Sequence, residues 1–360
     1  MFRNANNEPE GINRTIYCTI SNSSILEEFE LIEAKNDIKY FLSEAIFENR
    51  REKAILISKK ALGRHGKEKT LKPFLERLAD IEIGVQQYNP VLRDHSTHQV
   101  YVFLLGLLFI QRLKLIRIID PLSWKISSLL HDVGYPLQLF SSSIKDYISL
   151  LREYKAEISN IRTQFGYSIS LTGLEHLKFS DKDAFDIIEN RLREWDINLN
   201  LRRIHSCYLK QGKINHGILS ALIVLNLIDS LYAKYNPERE EHKKVYGIDW
   251  GKRCFDTQIL NAVSAISLHD LLDRINIIHF EKSPLAYLLV LCDNLQQWDR
   301  YSLGQRTYDP FSIDIKFENK SIICKLLLPK RRIREIRNAI KKLQSKTWQL
   351  KVSSLSGCSR

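Results

Sequence analysis

Imidazoles and carboxylates recur along this chain at His98, the doublet His131-Asp132, His216, His269 and Asp293, each in or beside an apolar run. Such groups are unwelcome in an apolar interior unless something pairs with them, and a cation shared among several of them is an economical partner. Adjacent His131 and Asp132 offer two ligand types from one place, so the imidazole can bind one ion while the carboxylate bridges to a second. Asp293 interrupts Leu288-Leu-Val-Leu-Cys292, where an unpartnered carboxylate would cost on the order of several kcal/mol. The pattern predicts a metal-dependent hydrolase.

These residues need helices to hold them. His98 precedes Val102 by one turn, and Leu104 to Ile110 anchor that helix in the core. Asp120-Pro121 supplies an N-cap and a first-turn proline, while Gly134 and Pro136 stop the same helix, which places His131 and Asp132 in its last turn. His216 stands just before the apolar run Ile218 to Ile228, near a helix start, and His269 follows the run Ile259 to Leu268. Ser283-Pro284 opens a further helix with Asp293 well inside it. His95 and His98 are spaced to share one helical face, so either can serve as the first ligand.

The flanking regions read less sharply. Residues 1 to about 22 are polar and are expected to be loosely ordered or in short extended structure. Ser24-Ile-Leu-Glu27 reads as a capping box, with a helical segment following to about Leu62, and Gly63 to Thr70 as a basic connector without Walker spacing. A polar insertion spans about 141–213, with helical patterning around Ile144 to Ile161 and Asp183 to Trp195. Near the C-terminus Phe311, Ile313, Ile315 and Phe317 alternate with polar residues, Glu318-Asn319-Lys320 makes a hairpin connection, and a second apolar run covers Ile322 to Leu328. A final helix places Ile333, Ile336, Ile340 and Leu343 on one face among Arg331, Arg332, Arg334, Arg337, Lys341 and Lys342.

The expected architecture is mainly α. It comprises an N-terminal helical extension (1–90), a metal-binding helical domain (91–305) and a small ββα appendage (306–360). The longest apolar runs fall short of the roughly 20 residues of a membrane span, the N-terminus lacks the organisation of a secretory signal, and the scattered cysteines show no short paired spacing. A cytoplasmic protein with reduced thiols and no membrane partner is expected. The net charge of +12 favours anionic ligands.

In order and context the residues resemble the HD-domain metal-dependent phosphohydrolase superfamily. The likeness is carried by His98 in Asp-His-Ser-Thr-His-Gln-Val-Tyr-Val, by the doublet in Leu-Leu-His131-Asp132-Val-Gly and by Asp293 in Leu-Val-Leu-Cys-Asp, across roughly residues 91 to 305. His216 in Asn-His-Gly-Ile-Leu-Ser-Ala and His269 in Ile-Ser-Leu-His look like the extra histidines of members that hold two metals. The resemblance implies an HD-domain helical core in which His98, His131, Asp132 and Asp293 bind one ion, and His216 and His269 help bind a second across Asp132. Two divalent cations are implied; manganese, iron, cobalt or zinc suit the mixed donors better than magnesium.

The implied activity is cleavage of a phosphoester of a nucleotide or cyclic nucleotide by a metal-activated hydroxide, with Asp132 central. The resemblance favours His98 as ligand and makes His95 a candidate general acid, as in cyclic-nucleotide phosphodiesterases. Tyr135-Pro136 replaces the usual lysine or similar residue after the doublet, and Gly134-Tyr-Pro136 lies too early to imply a cyclic-di-GMP substrate. Arg93, Lys213, Gln297 and Arg300 flank ligand positions and are candidate phosphate-binding residues. Asp270 is expected to face solvent or cap a helix, and Trp298 to lie in the core. The basic C-terminal helix admits nucleic acid as a partner, hence a nuclease reading. A silent nucleotide-sensing module and a di-iron oxygenase are further readings of the same residues.

Overall fold

The computed structural model describes residues 8–63, 72–88, 94–139, 171, 174, 183–234, 252–299 and 311–354. The described chain is mainly helical, with a small strand region near the C-terminus. At its centre lies α6 (His95–Arg112), whose residues from Thr97 to Ile110 are all buried. A helix that is apolar on every side must be enclosed by others. Here α1 (Gly11–Ser21), α4 (Phe47–Leu62), α7 (Pro121–Leu130) and α12 (Pro284–Leu295) pack around it. Gly106 permits the contact with α7, because a Cβ there would lie 1.9 Å from the Trp124 ring. The Trp124 indole donates to the Phe103 carbonyl at 3.2 Å across the same contact.

The second half of the core joins α7 to α11 (Leu260–Leu268), which packs against α12 and α10 (His216–Lys234). Capping follows the polar residues before these runs. Asp94 accepts from the Ser96 and Thr97 amides at the start of α6, and Asp120 accepts from Ser123 at the start of α7 with Pro121 in the first turn. Asn215 accepts from the Ile218 amide and so caps α10.

Several expectations are corrected. Residues 11–21 are helical rather than loose or extended, because Ile12, Ile16 and Ile20 recur at helical spacing and bury against the core. Buried Asn13 within α1 accepts from the Trp298 indole at 3.0 Å and donates to Leu42. The capping box at Ser24 does not form; α2 (Ile25–Glu28) is a single turn without a side-chain cap. The expected helix to Leu62 is broken into α2, α3 (Lys35–Ser43) and α4. The connector at 64–70 and the helical pattern at 144–161 lie outside the described residues. The insertion does hold α8 (Ala184–Glu194), followed by α9 (Leu201–Lys210).

The C-terminal hairpin forms as β2 (Ser312–Glu318) and β3 (Ser321–Leu327), with Glu318 opposite Ser321. The appendage is larger than ββα. After α13 (Lys330–Ile340), β4 (Leu343–Gln344) pairs with β1 (Ile278–His279), and β5 (Gln349–Ser354) adds to β3 in parallel. Leu343 therefore belongs to a strand and not to the helix. Among the described residues no helix is long and apolar enough to cross a membrane.

Candidate metal centre

Five segments bring their ends to one place. His98 lies in the first turns of α6, and His131 and Asp132 occupy the turn directly after α7 rather than its last turn. His216 begins α10, His269 follows α11, and Asp293 lies near the end of α12. Gly134 lets α10 approach the doublet, since a Cβ there would sit 2.8 Å from the Ser220 amide nitrogen. The Gly134 amide instead donates to Ser220 Oγ at 2.9 Å.

The two oxygens of Asp132 face different imidazoles. Oδ2 lies 3.4 Å from His131 Nε2 and 3.8 Å from His98 Nε2. Oδ1 lies 3.3 Å from His269 Nε2 and 3.4 Å from His216 Nε2. Asp293 Oδ1 completes the first group at 3.0 Å from His98 Nε2 and 3.8 Å from His131 Nε2. Two donor sets, His98-His131-Asp132 and Asp132-His216-His269, thus share one carboxylate.

Each imidazole is turned inward by a bond on its far side. His131 Nδ1 donates to the Ser128 carbonyl at 2.9 Å, and His269 Nδ1 to the Ile266 carbonyl at 2.6 Å. A carbonyl only accepts, so the proton sits on Nδ1 and leaves Nε2 for the centre. His98 Nδ1 donates to Gln296 Oε1 at 2.6 Å, and the Gln296 amide is oriented by donating to the Trp298 carbonyl. His216 Nδ1 faces Gln138 Oε1 at 2.8 Å and Asp270 Oδ2 at 3.1 Å. Backing bonds of this kind orient metal-binding histidines.

The donor set fits a cation. His131 Nε2 is fully buried and has no hydrogen-bond partner among the described residues. A buried polar atom in this condition costs free energy unless something else meets it. Donors about 2.1 Å from a common ion stand roughly 3.0–3.4 Å from one another in tetrahedral or octahedral geometry, close to the separations found here. These buried His and Asp groups could hold a metal ion.

Electrostatics point the same way. Burial opposes charge on His131 and brings its imidazole down to about 4. Burial also opposes charge on His269, but its bond to Asp132 and the nearby Asp293 and Asp270 carboxylates outweigh it and raise the imidazole to about 9. Asp132 and Asp293 are held well below the usual carboxylate range, because the surrounding imidazoles outweigh the burial of each carboxylate.

A cavity of about 200 Å3 opens beside the centre, lined by Asp94, His95, Tyr135 and Asp270 together with five of the six candidate ligands. His95 Nδ1 meets Glu82 Oε1 at 2.8 Å, and the same oxygen accepts from the His95 amide at 2.6 Å. Glu82 Oε2 accepts from Ser96 Oγ at 2.7 Å and lies 3.7 Å from Arg51. Tyr135 packs against the His95 ring at a tilt of 40°, with centroids 3.9 Å apart. Burial opposes charge on both His95 and Glu82, yet their mutual bond prevails, raising the imidazole and lowering the carboxyl. Burial and the Glu82 charge push Asp94 up to about 6.

The remaining candidates lie elsewhere. Gln297 donates to the Asn294 carbonyl and accepts from Arg332 on α13, so its amide joins the appendage to α12 instead of lining the cavity. Lys213 lines a different cavity, because the turn after α9 carries it there. Arg93 and Arg300 lie outside the described residues. Asp270 is partly exposed, accepts from Asn215 at 2.8 Å and lies 3.1 Å from His216 Nδ1. Trp298 is buried in the core. Glu82, Gln138 and Gln296 carried no sequence signal, since each finds its histidine only through tertiary packing.

Comparison of the chain with protein-family models, with curated proteins and with solved structures found no match.

Proposed function

We propose that this protein is a metal-dependent phosphohydrolase that cleaves a phosphoester of a nucleotide or cyclic nucleotide. The observation that carries the reading is the placement of Asp132, with one oxygen toward His98 and His131 and the other toward His216 and His269. Divalent cations held there would lower the pKa of a bound water and neutralise charge developing on phosphoryl oxygens.

The chain's own groups account for the rest. The cavity of about 200 Å3 admits a phosphate group but is smaller than the roughly 300–1,000 Å3 of sites that enclose a whole small molecule. The nucleoside would therefore remain at the mouth. His95, whose Nδ1 is taken by Glu82, keeps Nε2 for the cavity and is suited to give a proton to the leaving oxygen. The ordered ligand residues also resemble the HD-domain superfamily, which is why a phosphoester heads the substrate classes.

The test is elemental analysis of the purified chain, followed by a phosphoester panel with manganese, iron, cobalt, zinc and magnesium. Bound transition metal and turnover of a nucleotide ester, both lost in Asp132→Ala with the fold retained, are expected. A metal-loaded chain inert toward the whole panel would overturn the activity.

A further inference from the structure

A second cavity, of about 490 Å3, lies between α9, the turn that follows it and the 3-10 turn Leu272–Arg274. We propose that it binds a nucleotide, with the phosphates on Arg203, Lys213 and Arg274 and the base against Ile204 and Tyr208. The inference goes beyond the phosphohydrolase reading and does not depend on it.

The charge of the lining selects the ligand class. Among the described residues that line the cavity three are cations and none is a carboxylate. Neighbouring cations on the same surface are already committed: Arg202 bonds Asp183 and Asp186, and Arg191 bonds Glu194. Arg203 and Lys213, by contrast, have no ion-pair partner among the described residues. Arg274 contacts its neighbour Asp273 at 3.1 Å, but both side chains are more than half exposed, so that pair yields to a better anion at little cost. Arginine pairs bring bidentate geometry to phosphate and lysine brings a point charge.

The local backbone supports the arrangement. Gly212, with φ of +60°, ends α9 in a Schellman turn in which the Lys213 amide donates to the Tyr208 carbonyl at 2.8 Å and the Gly212 amide to Leu209. The Gln211 amide takes the Cys207 carbonyl. These helix-end carbonyls are thus turned to internal partners, and Lys213 is fixed beside Tyr208. Size decides between a bare phosphate and a larger ligand: about 490 Å3 falls within the roughly 300–1,000 Å3 of small-molecule sites. The half-buried Ile204 and Tyr208 add an apolar wall that a base can cover.

The experiment is calorimetric titration of the full chain with adenosine diphosphate in the presence of EDTA, which removes metal from the other site. Saturable binding is expected, weakening as salt rises. Arg203→Glu, Lys213→Glu and Arg274→Glu should each weaken it by about tenfold or more, while Arg193→Ala, an exposed cation outside the cavity, should not. Tyr208→Ala should weaken adenosine diphosphate and leave inorganic pyrophosphate unchanged. Absence of binding at millimolar ligand, or binding indifferent to all three charge reversals in variants with unchanged circular dichroism, would overturn the site. Equal affinity for pyrophosphate and adenosine diphosphate would overturn the nucleotide assignment.

Discussion

His216 Nε2 and His269 Nε2 lie 3.1 Å apart, while the Nδ1 of each faces an acceptor behind it. Two imidazole lone pairs at that distance repel unless a proton or a cation stands between them. Burial opposes charge on His269, but the bond to Asp132 and the nearby Asp293 and Asp270 carboxylates raise its imidazole to about 9. That favours a proton on the Nε2 that faces both Asp132 Oδ1 and His216. A metal ion must displace that proton. Binding at pH 7 is therefore expected to release about one proton from His269, and affinity should strengthen as pH rises toward 9. Calorimetry of zinc binding in buffers of different ionisation enthalpy measures the release; affinity independent of pH between 6 and 9 would contradict it.

Asp132 is expected to matter to both ions. Asp132→Asn keeps the size and removes the charge, so metal content should fall at both positions. His216→Ala should leave the His98-His131-Asp132 group its ion. Elemental analysis of the two variants separates a shared carboxylate from two independent sites.

Gln296 and Gln138 bear on the centre through the imidazoles they hold. Gln296→Leu should weaken metal binding by about 10-fold to 100-fold without removing a ligand. The effect should be largest for the ion on His98, read by competition with a chelating dye.

Glu82 lies in α5 (Lys72–Tyr88), the helix before α6, and holds His95 by ring and backbone. On the proposed chemistry His95→Gln should lower turnover by about 100-fold to 10,000-fold with metal content unchanged. Glu82→Gln should lower it less and move the basic limb of the pH profile to lower pH, because the charge that raises the His95 imidazole is lost. A substrate with a good leaving group should rescue both variants.

Gly106 is a test of the core alone. Alanine there would push a methyl group into the Trp124 ring, and overpacking of this kind costs about 1–3 kcal/mol or more. Thermal unfolding of Gly106→Ala should occur several degrees lower.

Much of the helical frame was legible in residue order. The apolar runs after His98 and His216 and before His269, the Asp120-Pro121 start and the alternation from Ile313 to Phe317 each specify local structure through periodicity and capping, which neighbouring residues alone determine. The helix at 11–21 was missed because its stripe is only Ile12, Ile16 and Ile20 among polar residues, and its burial depends on a surface supplied by α6.

The side-chain chemistry divides along the same line. Sequence by itself determined which residues could bind a cation, because a histidine or aspartate within an apolar run has few other uses for its charge. Only the tertiary structure decided that Asp132 stands between two imidazole pairs, that Glu82 and Gln296 back His95 and His98, and that Gln297 and Lys213 turn elsewhere. Those relations join residues on different elements, and they are set by how helices pack, to which local periodicity is blind.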